Sequence, residues 1–279
     1  MRYPVGKPRD VNKVTIALGM LAGGNVVIAA DTQIGIPEYL NARGNKVAWA
    51  SRSSEGEQDA AMAITGAGNT HCVDHLKNLK NEFTGAFTTD WDAVSNTKNF
   101  KEYAAGHLNE FYRKHVKSFA LYGADRPEVD LIIGYADRFT YSLWSSERNL
   151  LNEHQRYATA GVGAMWANAE LGRIYSSSWH PTSPNTAMLL AAYVVFQVKE
   201  HVDGCGKDTD VVCINNRTHT WLTRQQVVNI EDLLKSSRIE ETFMWRIFSD
   251  EKDASTRWPI SREIRKIRSS IAKILSSRK

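Results

Sequence analysis

Apolar residues along this chain gather first in short β-branched runs broken by glycine, then in helical periodicities, and the two kinds alternate in blocks. Val14 to Leu21 and Val26 to Ala30 flank Gly23-Gly24-Asn25, a pattern that predicts a β-hairpin. Ala61 to Ile64 predicts a short strand closed by Gly66 and Gly68. Val73, Leu76 and Leu79 share one face of a helix predicted over 70–83. Residues 84–95 read as loop, and Phe100 to Phe119 as a second helix. Leu131 to Tyr135 and Phe139 to Trp144 predict another hairpin, turning at Asp137-Arg138. Gln155 to Ala160 predicts a strand ending in Gly161-Val162-Gly163. Helices follow over 164–175 and 186–202, the second preceded by Ser183-Pro184, a favourable start. Asp210 to Ile214 and Thr218 to Leu222 predict a last hairpin around Asn215-Asn216, and Gln225 to Leu234 a helix. Strands, two helices, strands, two helices, strands is a segregated α+β order built on antiparallel pairs. Helices on both faces of two packed antiparallel sheets satisfy it.

Composition narrows the class. The chain has 279 residues, 42% hydrophobic and 24% charged, which excludes a low-complexity or disordered protein. The longest apolar run, Ala187 to Phe196, is too short to cross a bilayer. Residues 1–13 carry charge without an apolar stretch, so they do not read as a secretory signal. Three cysteines, Cys72, Cys205 and Cys213, show no framework spacing, and a reducing cytoplasm is the expected compartment.

Net charge is +4, but it is unevenly placed. Residues 257–279 hold eight Lys or Arg against the single acid Glu263, a net +7, so the rest of the chain is about −3. Ile260, Ile264, Ile267, Ile271 and Ile274 recur at 4-3-4-3 spacing there, the seam of an amphipathic helix. That seam suits docking on a neighbouring subunit or on the body, with an anionic membrane surface or nucleic acid as alternatives. Trp258 is the tail's single aromatic residue, which argues against base stacking; nucleic acid is the weaker reading.

The candidate chemistry starts at the first hairpin. Val14-Thr15-Ile16-Ala17-Leu18, Gly24 and Val26-Val27-Ile28-Ala29-Ala30-Asp31-Thr32-Gln33 resemble the opening of proteasome β-type subunits, nearest to the bacterial HslV-type peptidase. Gly44-Asn45-Lys46-Val47 is similar to that family's lysine motif, and Thr65-Gly66-Ala67-Gly68 to its glycine turn before the first helix. Thr159-Ala160-Gly161-Val162-Gly163 resembles its Gly-Ser-Gly turn, and Asp208 to Ile214 its last core strand. The resemblance spans residues 14–235. It implies an N-terminal-nucleophile hydrolase with a four-layer αββα sandwich, acting on peptide or unfolded-protein substrates. It further implies assembly into a stacked homo-oligomeric ring, an ATPase unfoldase as a possible partner, and no cofactor or metal. Three segments follow: a leader or propeptide over 1–14, the hydrolase-like domain over 15–238, and a basic extension over 239–279.

By that resemblance Thr15 is the nucleophile, with Asp31 sixteen residues on and Lys46 thirty-one residues on as its partners. Its own α-amine, freed by removal of residues 1–14, acts as the base, and an α-amine titrates near 7.7–8.0. The N–H of Gly68 takes the oxyanion position. A supporting aspartate is expected in the late loop; Asp203, Asp208 and Asp210 all qualify, and Asp203 fits the residue order best. The chain departs from the family pattern at Val14, where glycine is usual before the threonine, and at Val162, where serine is usual. A second register exists: if Gly23-Gly24 conceals a two-residue insertion, Lys13 occupies the nucleophile slot and the chain is an inactive relative serving as a structural or binding subunit. His71-Cys72-x-x-His75 has metal-like spacing without further ligands nearby, and the sequon Asn216-Arg217-Thr218 sits in a hairpin; neither is assigned a function.

Overall fold

A computed structural model of the chain describes residues 15–36, 40–44, 46–54, 57–68, 73–117, 129–175, 181, 183–216, 219–236, 269–274 and 276. The first predicted hairpin forms as β1 (Ala17–Ala22) and β2 (Asn25–Asp31), turning at Gly23-Gly24. It lies inside a five-stranded antiparallel sheet completed by β10 (Tyr157–Ala160), β11 (Thr209–Ile214) and β12 (His219–Trp221), in the order β10-β1-β2-β11-β12. A second antiparallel sheet holds β5 (Ala48–Ser54), β6 (Glu57–Gly68), β7 (Val129–Asp137), β8 (Tyr141–Glu147) and β9 (Leu150–His154) in sequential order. A short hairpin, β3 (Gln33–Ile36) with β4 (Leu40–Arg43), stands apart from both.

The two sheets pack face to face. The apolar runs of β1 and β2 are continuous because both of their faces are covered. Ile16, Leu18, Met20, Val27 and Ala29 point to helices α4 (Ala164–Ile174), α5 (Pro184–His201) and α6 (Arg224–Ser236). Ala17, Val26 and Ile28 point to the second sheet, against Ala61, Ala63, Ile132 and Leu143. Small residues on this inner face bring the sheets close. A Cβ on Gly19 would lie 2.5 Å from Leu143 Cδ1 and 2.7 Å from Ile132 Cγ2. Beneath the second sheet lie α1 (Val73–Thr89), α2 (Trp91–Val94) and α3 (Thr97–Phe111), packed through Phe83, Phe87, Phe100, Tyr135 and Trp144. The result is the expected α+β architecture, a four-layer αββα sandwich.

Residues 84–95, expected as loop, are instead helical: α1 continues to Thr89 and α2 follows at once. The Thr-rich local sequence is a weak helix former, but Ala86, Phe87 and Val94 are buried against the second sheet, and that burial outweighs propensity. The helix expected to Phe119 ends its regular turns at Phe111, with a π-helical turn over Tyr112–Val116. The described part of the tail docks on the body. Residues 269–274 are helical, Ile271 is buried among Val227, Ile230 and the α5 side chains, and Gln226 Nε2 donates to the Ile274 carbonyl at 2.8 Å. Ile260, Ile264 and Ile267, like the leader 1–14, lie outside the described residues. Among those residues, no helix is long and apolar enough to cross a membrane.

Candidate active site

The hairpin and the two sheets converge on Thr15. Asp31, the last residue of β2, is fully buried, and a buried carboxylate is tolerated only when its oxygens are satisfied. Its Oδ1 accepts from Thr15 Oγ1 at 2.5 Å, from the Ile16 N–H at 3.1 Å and from Lys46 Nζ at 2.8 Å. Its Oδ2 accepts from the Gly206 N–H at 3.0 Å. Lys46 Nζ also donates to Thr15 Oγ1, so hydroxyl, ammonium and carboxylate form one closed triangle. The spacing of sixteen and thirty-one residues works because β2 runs back along β1, and Lys46, reached after the β3–β4 excursion, stands just before β5.

Burial pushes the Lys46 amine down from its ordinary value, while the charge and hydrogen bond of Asp31 hold it up against that shift. Lys46 is therefore closer to giving up its proton than a surface lysine, yet remains tied to the hydroxyl it faces. The glycine turn closes the other side. Gly161 has φ +95°, and a Cβ there would lie 2.3 Å from the Thr15 carbonyl oxygen and 2.9 Å from its Cγ2, so only glycine fits. Gly163 N–H donates to the same carbonyl at 3.3 Å, and Val162 between them projects outward, 45% exposed.

Thr15, Asp31 and Lys46 are thus brought together, and other expected residues are not. Gly68 ends β6 opposite Val129, and no hydrogen bond joins it to the triangle among the described residues. Asp203 is exposed in the turn after α5, with no hydrogen bond to the triangle among those residues. Asp208 pairs with Arg224 at 3.3 Å and exchanges backbone and hydroxyl bonds with Thr32. Of the three late acids, Asp210 is the one whose charge acts on Lys46. After Asp203 the chain turns at Gly204, φ +89°, and it is Gly206 that reaches Asp31. His71, Cys72 and the side chain of His75 lie outside the described residues, as do Lys13, Val14, Arg217 and Thr218; among the described residues no cluster of three metal-ligating side chains occurs.

No family model matches the sequence, and no curated protein matches it. Solved structures do match, Anbu proteins among them. One, titled Anbu from Hyphomicrobium sp. strain MC1, is 13% identical, covers 81% of this chain and 99% of its own, with a TM-score of 0.61. A second, the Helical Assembly of the Anbu Complex from Pseudomonas aeruginosa, is 13% identical, covers 88% of this chain and 98% of its own, and scores 0.62. A third, Anbu (ancestral beta-subunit) from Yersinia bercovieri, is 13% identical with coverage of 89% and 100% and a TM-score of 0.62. These matches bear out the four-layer αββα sandwich fold. They also correct the expected HslV-type likeness: the structural neighbours are Anbu proteins, a distinct proteasome-like group.

Three site residues escaped the sequence reading. The Gly206 N–H that holds Asp31 Oδ2 lies in a loop with no periodicity to mark it. Cys205 is buried beside it; burial and the Asp31 charge push its thiol up to about 12, and Gly163 N–H is hydrogen-bonded to it. It is a neutral packing group at physiological pH. Lys80 is the third. It had a legible signal, since Leu76, Lys80, Phe83 and Phe87 are spaced 4-3-4 on one stripe of α1, and a lysine within an apolar stripe must find a partner.

Proposed function

We propose that the protein is a threonine-type peptidase subunit in which Thr15, once residues 1–14 are removed, is the N-terminal nucleophile. The observation that carries this reading is the closed triangle of Thr15 Oγ1, Lys46 Nζ and Asp31 Oδ1. An alcohol becomes a useful nucleophile when a positioned base takes its proton and a nearby cation stabilises its anionic character. The freed α-amine of Thr15 takes the Oγ1 proton, Lys46 supports the developing alkoxide, and Asp31 fixes the Lys46 head. Attack forms the C–O bond of an ester to the substrate carbonyl. The amine returns its proton to the departing amide nitrogen, and water then hydrolyses the ester. The Gly68 N–H is the proposed oxyanion donor.

A second reading has its own observation. Thr15 is 3% exposed, and Val14 precedes it where the resembling family has glycine; an uncleaved, inactive subunit keeps its threonine in such a buried position. Intact mass of the purified protein separates the two. The peptidase reading expects a chain beginning at Thr15, hydrolysis of an unstructured peptide, and loss of at least a hundredfold in kcat for Thr15→Ala. A chain still carrying residues 1–14 and no hydrolysis would establish the inactive subunit instead.

A further inference from the structure

Lys80 is a second buried lysine beside the site, and the proposed chemistry does not use it. It stands on α1, beneath the second sheet, and is 8% exposed. Its Nζ donates to the backbone carbonyl of Lys46 at 3.0 Å. This bond crosses from a helix to the segment just ahead of β5, at the residue whose side chain completes the Thr15 triangle. Surface lysines gain little from such an arrangement, and burying an ammonium costs several kcal/mol unless it is repaid. Burial and the positive charge of Lys46 push Lys80 down to about 8, with Lys77 on the same helix adding to the shift and Asp210 on β11 opposing it. Asp210 acts on Lys46 in the same sense. Asp210 therefore acts on both amines, and the charge of Lys46 bears on Lys80.

We propose that Lys80 is a positioning residue: it anchors Lys46 by its main-chain carbonyl and thereby places the amine that faces Thr15. The proposal deepens the peptidase reading and rests on it for its catalytic consequence, but the anchor is measurable without turnover. A helix anchor on a carbonyl fixes where the following side chain starts, and a shift of about 1 Å in a catalytic group costs on the order of a hundredfold in rate. Lys80→Met is thus expected to loosen the Lys46 head from Thr15 and Asp31, and Lys80→Arg, which keeps a donor at that place, to restore it.

The test follows the Lys46 side-chain ammonium of the full chain by NMR at a pH where it is protonated, with the signal assigned through Lys46→Arg. Support is exchange of its protons with water at least about tenfold faster in Lys80→Met than in the parent chain, as its bonds to Thr15 and Asp31 loosen, with recovery in Lys80→Arg. Exchange in Lys80→Met equal to that of the parent overturns the proposal. In an active parent the same variant is expected to lower kcat about tenfold or more at unchanged KM. Should Lys80→Met not fold, Lys80→Gln carries the same comparison: faster exchange supports the anchor and unchanged exchange overturns it. A parent chain without hydrolysis but with the Lys46 change defeats the peptidase reading and leaves the anchoring of Lys46 by Lys80 standing.

Discussion

At the scale of single residues, the site is governed by how buried charge is matched. Asp31 has four donors around two oxygens, which is why a carboxylate can end an otherwise apolar strand. Lys80 gives the sharpest titration consequence. Its folded value, about 8, lies below the ordinary 10.5, so between those values the unfolded chain holds a proton that the folded chain has released. Stability from this group therefore rises as pH increases from about 8 to 10.5, and its burial penalty is felt in full below about 8. Subtracting the pH–stability curve of Lys80→Met from that of the parent isolates this slope. The expected difference is a rise with pH in that window; a difference that is flat from pH 7 to 11 would contradict the burial of a titrating amine.

At the scale of elements, packing decides where helices begin and end. The α5 start was legible because Ser183 accepts from the Thr186 N–H at 3.2 Å and Pro184 opens the helix. The extension of α1 through Thr89 was not, since Thr88-Thr89-Asp90 reads as a turn until Phe87 and Val94 are seen buried beneath the sheet. The edge strands β5 and β9 were missed for the opposite reason: Ala48–Ser54 and Leu150–His154 are polar or mixed, and their strand character comes from pairing with β6 and β8. The tail obeys the same logic. Its isoleucine seam predicted docking, and Ile271, 7% exposed, completes the apolar surface of α5 and α6. Ile271→Ala is expected to destabilise the chain by about 2 kcal/mol, the low end for a large-to-small core change, read as a lower urea midpoint at unchanged slope. An unchanged midpoint would mean that the docked tail adds no stability.

At the scale of the whole molecule, two sheets meet through inner faces that mix Ala and Gly with Val, Ile and Leu, and two helical layers complete the sandwich. The subunit reading proposed above makes self-association the property to measure. Head-to-tail contacts produce a closed ring if the rotation between copies closes, and an open helix if it does not. We expect particles much larger than the 31.4 kDa chain by sedimentation velocity, with electron microscopy distinguishing ring from helix. A single boundary at monomer mass across micromolar concentrations would remove the assembly.

The sequence by itself determined the central hairpin and the α+β order, and its resemblance to the proteasome β-type opening singled out Thr15, Asp31 and Lys46. These follow from local apolar runs, a glycine turn and motif spacing, all of which survive as linear patterns. Tertiary structure alone decided the rest. It chose Asp210 over Asp203 as the acid whose charge reaches Lys46, placed Gly206 against Asp31, fitted Gly161 beneath Thr15, and set Lys80 on the Lys46 carbonyl. Each of these joins residues far apart in the chain through burial, and the cost of an unmatched charge or a clashing Cβ exists only once the layers have closed around it.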